Sequence, residues 1–515
     1  MKSYIYHKTI NMRLTRWLSC LLTAVPLSLT AQYQINYEGS LTAVGSSGDF
    51  SPYYINSLKH GRFSQGRTLL AEAKAWRPME TDKRFAYGFG VDVIADATSK
   101  VEYERYDVDT DTWHTRGERP SALWLQQLYG EIRYRGVFLQ AGLKEHGSML
   151  LNQRLSSGDL VESGNTRPMP EVRIGFADFQ DIPLTNGWVQ IQGEINYARM
   201  LDDNWLRDHY NYYNYRIVSD EWYSYKRMYL RSNPDKPFSA TLGLQAASIF
   251  GGKISYYSKG KVWRSYDSGL SFKDFVHALI PTRDGREGFV SGSHLGSIDF
   301  KARYRLKGLG DVSAYFSWPW EDGTGLAKLN GWDGLWGIEY KAKEGGHLSG
   351  LVVEYLDFTN QSGPMHFEPN DYAGSTIPYH ASGADDYYNN FHHRAYAYYG
   401  HSIGTPAIMA PIYNRNGYIG FLANRMRGVH VAAEGTVVPG IDYLVKGGYR
   451  KAWGSGKVIL PTPIHSASFL FQASWRPAKA KGLKVAGAIS WDNGTMPSKS
   501  FGGMVSVKYD GILNL

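Results

Sequence analysis

Apolar and polar residues alternate along this chain with a period of two, and the pattern continues to its last residue. In the final segment, Val505, Val507, Tyr509, Gly511, Leu513 and Leu515 alternate with Ser506, Lys508, Asp510 and Asn514. Successive side chains of a β-strand point to opposite faces, so this segment predicts a strand with one apolar and one polar face. A chain that ends on such a strand has the layout of a membrane β-barrel, with lipid outside and a polar lumen inside.

Two other segments show the same pattern most clearly. Phe85, Tyr87, Phe89, Val91, Val93 and Ala95 alternate with Ala86, Gly88, Gly90, Asp92 and Asp96, and Ile298, Phe300, Ala302, Tyr304 and Leu306 alternate with Ser297, Asp299, Lys301, Arg303 and Arg305. About ten residues suffice for a tilted strand to cross a membrane. The charged face of residues 297–305 would pair with acids on facing strands, or line a pore if the lumen is open.

The connections between these segments alternate between short and long. Short ones lie at 135–136, 307–310, 344–346, 439–440 and 477–482, and long ones at 96–125, 145–171, 199–226, 250–296, 359–427 and 451–464. Outer-membrane barrels have this asymmetry, with short periplasmic turns and long outer loops. The sequence therefore predicts an all-β fold, a transmembrane antiparallel β-barrel of about 18 strands. Within one outer loop, residues 272–280 have helical spacing and predict a short helix.

The first 31 residues have the composition of a secretory signal peptide. Arg13 and Arg16 precede an apolar run, and Leu29-Thr30-Ala31 ends in a small residue that suits cleavage. We expect residues 1–31 to be removed and residues 32–515 to form a single barrel domain in the bacterial outer membrane. The leader contains the one cysteine, Cys20, so the exported chain would have no disulfide.

Charge gives no indication of a nucleic-acid partner. Half of the formal net charge of +8 comes from four basic residues of the leader, and no basic patch or stripe follows. The sequence also predicts no cofactor.

Aromatic residues make up 14% of the chain and cluster in two long loops. The candidate polysaccharide-binding residues are Trp205, Tyr210, Tyr212, Tyr213, Arg216 and Trp222 in loop 199–226, and Tyr387, His392, Arg394 and Tyr396 in loop 359–427. Aromatic rings can stack on the apolar faces of sugars, and arginine can pair with the carboxylate of a uronic acid. The alternative is that these rings pack the loops into a plug or belong to an aromatic girdle.

Three sets of loop motifs go beyond general barrel composition. They are LSSGDL (155–160) with SGNTRPMP (163–170) and VRIG (172–175); YLR (229–231) with GLQ (243–245) and FGG (250–252); and YYGHSIGTP (398–406). In this order, and with the hairpin 129–144, they resemble the Wzi family of capsule-assembly proteins as it occurs in Bacteroidetes. We expect the first strand to begin about two residues after the leader, which departs from the enterobacterial form of that family, where a small helical bundle precedes the barrel.

The resemblance implies a non-enzymatic, lectin-like barrel that anchors or assembles exported capsular polysaccharide at the cell surface. It implies loops that fold inward and close the lumen, for which Ser163, Asn165, Arg167, Tyr399 and His401 are the candidate plug residues. The expected partners are capsular or surface polysaccharide, outer-membrane lipid, the barrel-insertion machinery and a polysaccharide exporter.

An acidic segment has the ligand spacing of a calcium-binding loop. Asp107, Asp109 and Asp111 are followed by Glu118, but Thr112 occupies the position where that loop needs glycine. An acidic, solvated loop is the favoured interpretation, and calcium is the weaker one.

Two other functions stay open at this stage. A porin for small solutes or oligosaccharides is one, because of the charged face of residues 297–305. A barrel-type hydrolase is the other, although the chain contains no His-Glu-x-x-His, Gly-x-Ser-x-Gly or phosphate-loop motif.

Overall fold

Eighteen antiparallel strands form a closed barrel. The computed structural model describes residues 34–80, 83–280, 292–321, 323–363, 367–368, 380–381, 385–456 and 458–514. Each strand pairs with its two neighbours in sequence, and the last strand pairs with the first. The prediction of an all-β barrel with 18 strands is confirmed.

The bounds of the barrel strands follow the order of the chain. They are β1 (Gln34–Phe50), β2 (Gln65–Arg77), β3 (Phe85–Thr98), β4 (Leu123–Tyr134), β5 (Val137–Leu143), β6 (Pro170–Phe176, with a short continuation at Gln180–Asp181), β7 (Val189–Arg199), β8 (Trp222–Ser232), β9 (Phe238–Phe250), β10 (Ser293–Leu306), β11 (Gly310–Trp320), β12 (Gly334–Ala342), β13 (Gly350–Asp357), β14 (Met426–Val438), β15 (Ile441–Gly454), β16 (Ile459–Trp475), β17 (Leu483–Gly494) and β18 (Ser500–Asn514).

Short elements occupy the connections. The helices are α1 (Tyr53–Asn56), α2 (Asp203–His209), α3 (Phe272–Leu279) and α4 (Gly323–Leu326), with a 3-10 turn at Pro411–Tyr413. Small strands form at Val101–Asp107, Thr112–Glu118, Arg216–Ser219, Lys253–Ser258, Lys261–Asp267, Phe367–Glu368, His380–Ala381, Ala397–Tyr398 and His401–Ser402. The predicted helix at 272–280 is confirmed by α3. Among the described residues, no helix is long and apolar enough to cross a membrane.

The barrel closes between β1 and β18. Leu41 lies opposite Val507, and Thr42 lies opposite Ser506 with their hydroxyl oxygens 2.8 Å apart. Because side chains alternate along both strands, the leucine and valine face outward while the two hydroxyls face the lumen. The strand predicted from the alternation of the final segment is therefore confirmed over Ser500–Asn514, and Leu515 lies outside the described residues.

Over most of the barrel wall the outer face is apolar, and the inner face carries most of the charged side chains. Phe85, Phe89 and Val91 of β3 are exposed on the outside, whereas Asp92 is fully buried inside. In the lumen, the Lys301 ammonium lies 2.8 Å from a carboxylate oxygen of Glu339 on β12. Similar pairs join Arg303 and Arg305 to Asp311, at 3.4 and 3.5 Å. The charged face of residues 297–305 is therefore paired with acids on neighbouring strands.

Aromatic side chains ring the outer surface near both ends. Phe85, Tyr134, Phe238, Tyr304 and Trp475 lie near one end, and Trp222, Phe316, Trp336, Trp491 and Phe501 lie near the other. Such girdles mark the two interfaces of a membrane barrel.

The two ends of the barrel differ in the length of their connections. Connections such as 135–136, 307–309 and 439–440 form the end that we name the turn end. The opposite end, named the loop end, carries 99–122, 144–169, 200–221, 251–292 and 358–425. Several of these long connections fold inward and fill part of the lumen.

One predicted long connection is wrong. Residues 451–464 contain only the short connection 455–458, because β16 already begins at Ile459. Pro461 and Pro463 made this segment resemble a loop. Pairing of β16 with β17 starts only at Ser466, so neither proline has to donate a hydrogen bond to that strand.

Candidate binding site at the loop end

Loop 144–169 enters the lumen and is fixed to the barrel wall. The Ser156 hydroxyl and the Ser157 backbone N–H donate to the two carboxylate oxygens of Glu354 on β13, at 2.7 and 2.6 Å. The Tyr315 hydroxyl donates to the same carboxylate from β11, at 2.5 Å. All four residues are buried or nearly so. A charged hydrogen-bond network of this kind, shielded from water, holds the loop firmly against the strands.

The candidate plug residues Ser163 and Asn165 join this loop to loop 358–425. The Ser163 hydroxyl donates to the carbonyl of Gly404 at 2.7 Å, and the Asn165 amide donates to the carbonyl of Ser402 at 3.1 Å. The Asn165 side-chain oxygen accepts the backbone N–H of Leu58 at 3.0 Å. Three connections of the loop end thus meet at two side chains.

Arg167, Tyr399 and His401 also come together. The Arg167 guanidinium lies 4.0 Å from the ring centre of Trp124 and 4.9 Å from that of Tyr399, a double cation–π contact. His401 is buried, and burial together with the nearby Arg167 charge lowers its pKa to about 4. His401 is therefore neutral at physiological pH.

Arg394 is the centre of a buried ion-pair cluster that joins two loops. Its guanidinium pairs with Asp202, with Asp203 at 2.9 Å and with Glu221 at 2.5 Å. His393 adds a second contact to Glu221, at 2.9 Å. This buried cluster clamps loop 358–425 to loop 200–221 and leaves no guanidinium face open to solvent.

Several of the predicted aromatic residues lie inside the assembled loops. Tyr396 donates to the carbonyl of Val161 at 2.9 Å, Tyr387 accepts the Asn330 amide at 2.9 Å, and Tyr210 is fully buried. Half-buried His392 lies 3.4 Å from the hydroxyl of Tyr266. These buried rings fill the interior of the plug, by which we mean the inward-folded loops 144–169, 200–221 and 358–425. This agrees with the alternative interpretation of the sequence, in which the rings pack the loops together.

The structure places the two tryptophans of loop 199–226 apart. Trp205 is half-buried and stacks on His209 with ring centres 4.5 Å apart. Trp222 is on the outward face of β8 and packs against Phe275, at 5.2 Å. Neither ring lines the clefts described next.

A first cleft at the loop end has a volume of about 580 Å³. It is lined by Asn214, Tyr215, Arg216, Tyr256, Tyr257, Ser258 and Trp263. Its wall is a small sheet in which Arg216–Ser219 pairs with Lys253–Ser258 and this strand pairs with Lys261–Asp267. Rings and hydrogen-bonding groups therefore alternate along one open surface.

The second cleft lies beside the first and has a volume of about 300 Å³. It is lined by Arg105, Tyr106, Asp107, Val108, His114, Tyr212 and Gly260. Arg105 lies over the Tyr212 ring at 4.8 Å. Tyr213 packs beside this cleft against Tyr106 and the exposed Trp113, with ring centres 4.9 and 5.1 Å away. Tyr212 of the second cleft packs against Tyr257 of the first, with ring centres 5.2 Å apart, so the two aromatic clefts are adjacent.

The acidic segment does not form the calcium loop considered above. Val101–Asp107 and Thr112–Glu118 form a hairpin in which Asp107 lies opposite Thr112 and Glu118 lies opposite Val101. A strand rises about 3.4 Å per residue, so Glu118 is about 20 Å from the turn that holds the three aspartates. Within the part of the chain that the structure describes, no group of acidic, histidine or cysteine residues is arranged to bind a metal.

Sequence reasoning missed most of the residues that line the clefts, because only Tyr212 and Arg216 of the candidate polysaccharide-binding residues line them. Arg105, Trp113 and His114 belong to the hairpin of residues 101–118. Tyr256 and Trp263 belong to the hairpin of residues 253–267. A signal was present, because aromatic and basic residues alternate with polar ones in both loops. Only the fold shows that these hairpins flank loop 200–221.

Comparison with known structures agrees with this architecture. The structure is similar to that of Wzi, an outer membrane protein involved in group 1 capsule assembly in Escherichia coli and described as a carbohydrate-binding β-barrel. The TM-score is 0.55 at 15% identity, over 91% of this chain and 83% of Wzi. The fold is that of an outer-membrane β-barrel.

Other outer-membrane barrels are similar at a lower level. Acinetobacter baumannii OccAB2 has a TM-score of 0.46 at 9% identity, over 93% of this chain and 98% of its own. Pseudomonas aeruginosa OprD has a TM-score of 0.42 at 8% identity, over 93% of this chain and 95% of its own. No protein-family model matches the chain, and no curated protein matches it in sequence.

Proposed function

We propose that this barrel binds exported capsular polysaccharide through its loop end and anchors or assembles it at the cell surface. The observation that carries the proposal is the pair of adjacent aromatic clefts on loops fixed by buried charge clusters. In this proposal the loop end faces the cell exterior, and the chain is a non-enzymatic member of the Wzi family of the Bacteroidetes type. An exporter supplies the polymer, and the barrel-insertion machinery places the protein in the outer membrane.

The chemistry of the clefts suits a sugar polymer. Tyr256 and Trp263 offer faces for stacking, while Asn214 and Ser258 offer hydrogen-bond donors and acceptors. Arg105 and Arg216 add positive charge beside Asp107, so the surface carries both signs. Many weak contacts along one chain give firm retention by effective concentration, without one dominant residue.

The first experiment is gene deletion in an encapsulated host. Polysaccharide on the cells and polysaccharide free in the medium are then quantified separately. We expect the bound fraction to fall and the free fraction to rise. Unchanged amounts of both would contradict the proposal.

A second experiment tests the clefts themselves. The variant Tyr256→Ala/Trp263→Ala removes two rings, and we expect the purified barrel to bind capsular polysaccharide about 5- to 100-fold less tightly. Trp332→Ala is the matched control, because Trp332 is exposed but lies beside Trp336 on the outer rim. Equal binding by both variants, with normal insertion, would exclude these rings from the site.

The porin and the hydrolase are separated from this proposal by two measurements. A porin needs an open lumen, whereas here loop 144–169 is bonded to Glu354 and the lysine and arginines of β10 are paired. We expect low single-channel conductance from the purified protein, and a high conductance would favour the porin. Turnover of glycan, lipid or peptide that is lost on changing one loop histidine would favour the hydrolase.

A further inference from the structure

Part of loop 251–292 returns over the outside of the barrel. Helix α3 lies there, because its Phe275 packs against Tyr197, Trp222 and Phe250 with ring centres 5.2 to 5.3 Å apart. Each of these three residues shares a strand face with exposed apolar residues nearer the middle of the barrel, namely Ile195 on β7, Met228 on β8 and Leu244 on β9. That face is the outer one, so the helix is external.

The helix is held in place by defined bonds. The Tyr197 hydroxyl donates to the carbonyl of Phe275, and the Lys226 ammonium donates to the carbonyl of Ala278, both at 2.6 Å. Ser271 and Asp274 form a capping box at its start, with the Ser271 backbone N–H donating to Asp274 at 2.6 Å. An external helix with its own cap and two strand anchors is a built element of the fold.

The outward surface of the strands beneath α3 carries a group of polar residues. Ser224, Lys226, Ser248 and His294 point outward there, and Ser224, Ser248 and His294 lie at one level across β8, β9 and β10. Polar groups that face hydrocarbon without partners are costly. The helix contacts β8 and β9 at this patch, the Lys226 ammonium donates to it, and Ser248 and His294 are buried although they face outward.

The other side of α3 replaces the covered patch with apolar surface. Phe272, Val276 and Ile280 recur every four residues along the helix and its C-cap, so they form one stripe. They are 82%, 41% and 64% exposed, and Leu270 is exposed beside them. A helix packed on a soluble surface would present polar residues at these positions.

We propose that α3 is a lipid-contacting helix, with Phe272, Val276 and Ile280 seated among the acyl chains of the outer membrane at its loop-end interface. Lipid is the occupant because the stripe continues the outer apolar face of β7–β9, where Ile195, Met228 and Leu244 are exposed. The helix thus extends the apolar belt over strands whose own outward residues are too polar for lipid. The inference does not depend on what the clefts bind.

Site-directed spin labelling tests this placement in the full-length barrel. Single-cysteine variants Phe272→Cys, Val276→Cys and Ile280→Cys are made in a Cys20→Ser background, labelled, and reconstituted in phosphatidylcholine–phosphatidylglycerol vesicles. Collisions with oxygen, which concentrates in the bilayer, are compared with collisions with a water-soluble nickel chelate. Phe89→Cys on the outer face of β3 is the lipid reference, and Thr115→Cys on the exposed hairpin is the water reference.

We expect the three helix labels to match the Phe89→Cys label, with oxygen collisions dominating. Labels that match Thr115→Cys would overturn the proposal. Labels shielded from both reagents would also overturn it, because a protein partner or a second copy would then cover the stripe. Heat-modifiable migration of each variant on a denaturing gel checks that the barrel is folded before the labels are compared.

Discussion

Replacing Arg394 with methionine should undock loop 358–425 from loop 200–221 while leaving the barrel folded. The Arg394 side chain is 2% exposed and pairs with Asp202, Asp203 and Glu221. Methionine has a similar length but no charge, so it leaves three carboxylates without their shared cation. Removing one partner of a buried ion-pair network costs about 3 to 5 kcal/mol. That cost falls on the docking of loop 358–425 against loop 200–221, since no member of the cluster belongs to the interior of a strand.

The measurement is amide hydrogen exchange of loop 358–425 in the purified barrel. Each 1.4 kcal/mol corresponds to a tenfold change in population, so the undocked fraction should rise by about 100- to 3,000-fold. Backbone N–H groups that report docking include Tyr399, which donates to Asp202 at 2.9 Å, and Ser163, which donates to the carbonyl of Ile403 at 3.1 Å.

A matched control is available at the same end of the barrel. Arg427 pairs with Asp357 at 2.9 Å, but its side chain is 54% exposed. Exposed pairs contribute about 0 to 1 kcal/mol, so Arg427→Met should change exchange by less than about fivefold. If Arg394→Met also changes exchange by less than fivefold, the clamp is not what docks the loop. If it abolishes heat-modifiability, the cost is global and the reasoning about local docking fails.

Three further predictions concern the same loops. The docking of loop 358–425 should weaken by up to about 3 kcal/mol as pH falls from 6.5 to 4. The reason is that the pKa of His401 is about 4 in the docked loop and near 6.5 in the released loop, so protons bind the released loop more tightly. Amide hydrogen exchange measured against pH should show this loss, and His401→Gln should make the protection against exchange independent of pH over this range. Gly400→Ala should increase proteolysis of the loop, because Gly400 has a φ of +75° and a Cβ there would overlap the Trp205 ring; cleavage at the wild-type rate would contradict this. Chelation of calcium should leave thermal stability unchanged, because the hairpin keeps Glu118 away from Asp107; a drop in the melting temperature on adding EGTA would show that calcium binds elsewhere.

The sequence by itself determined the barrel. In the final strand, apolar Val505, Val507 and Tyr509 alternate with polar Ser506 and Lys508. Alternate residues of a barrel strand face the lipid and the lumen, so this pattern can be read directly from the local sequence. The strand number and the position of the long connections follow from counting such runs. The one clear error, at 451–464, arose where prolines interrupt the pattern at the start of β16, before its pairing with β17 begins.

Only the tertiary structure decided what the loops do. Residues far apart in sequence meet there, such as Arg394 with Asp202 or Trp113 with Tyr213, and no local period records such contacts. The same composition of tyrosine, tryptophan and arginine therefore serves as plug at Tyr396, as cleft at Tyr256 and as outer rim at Trp222. The placement of α3 outside the barrel is of the same kind, since helical spacing predicts a helix but does not say which surface it covers.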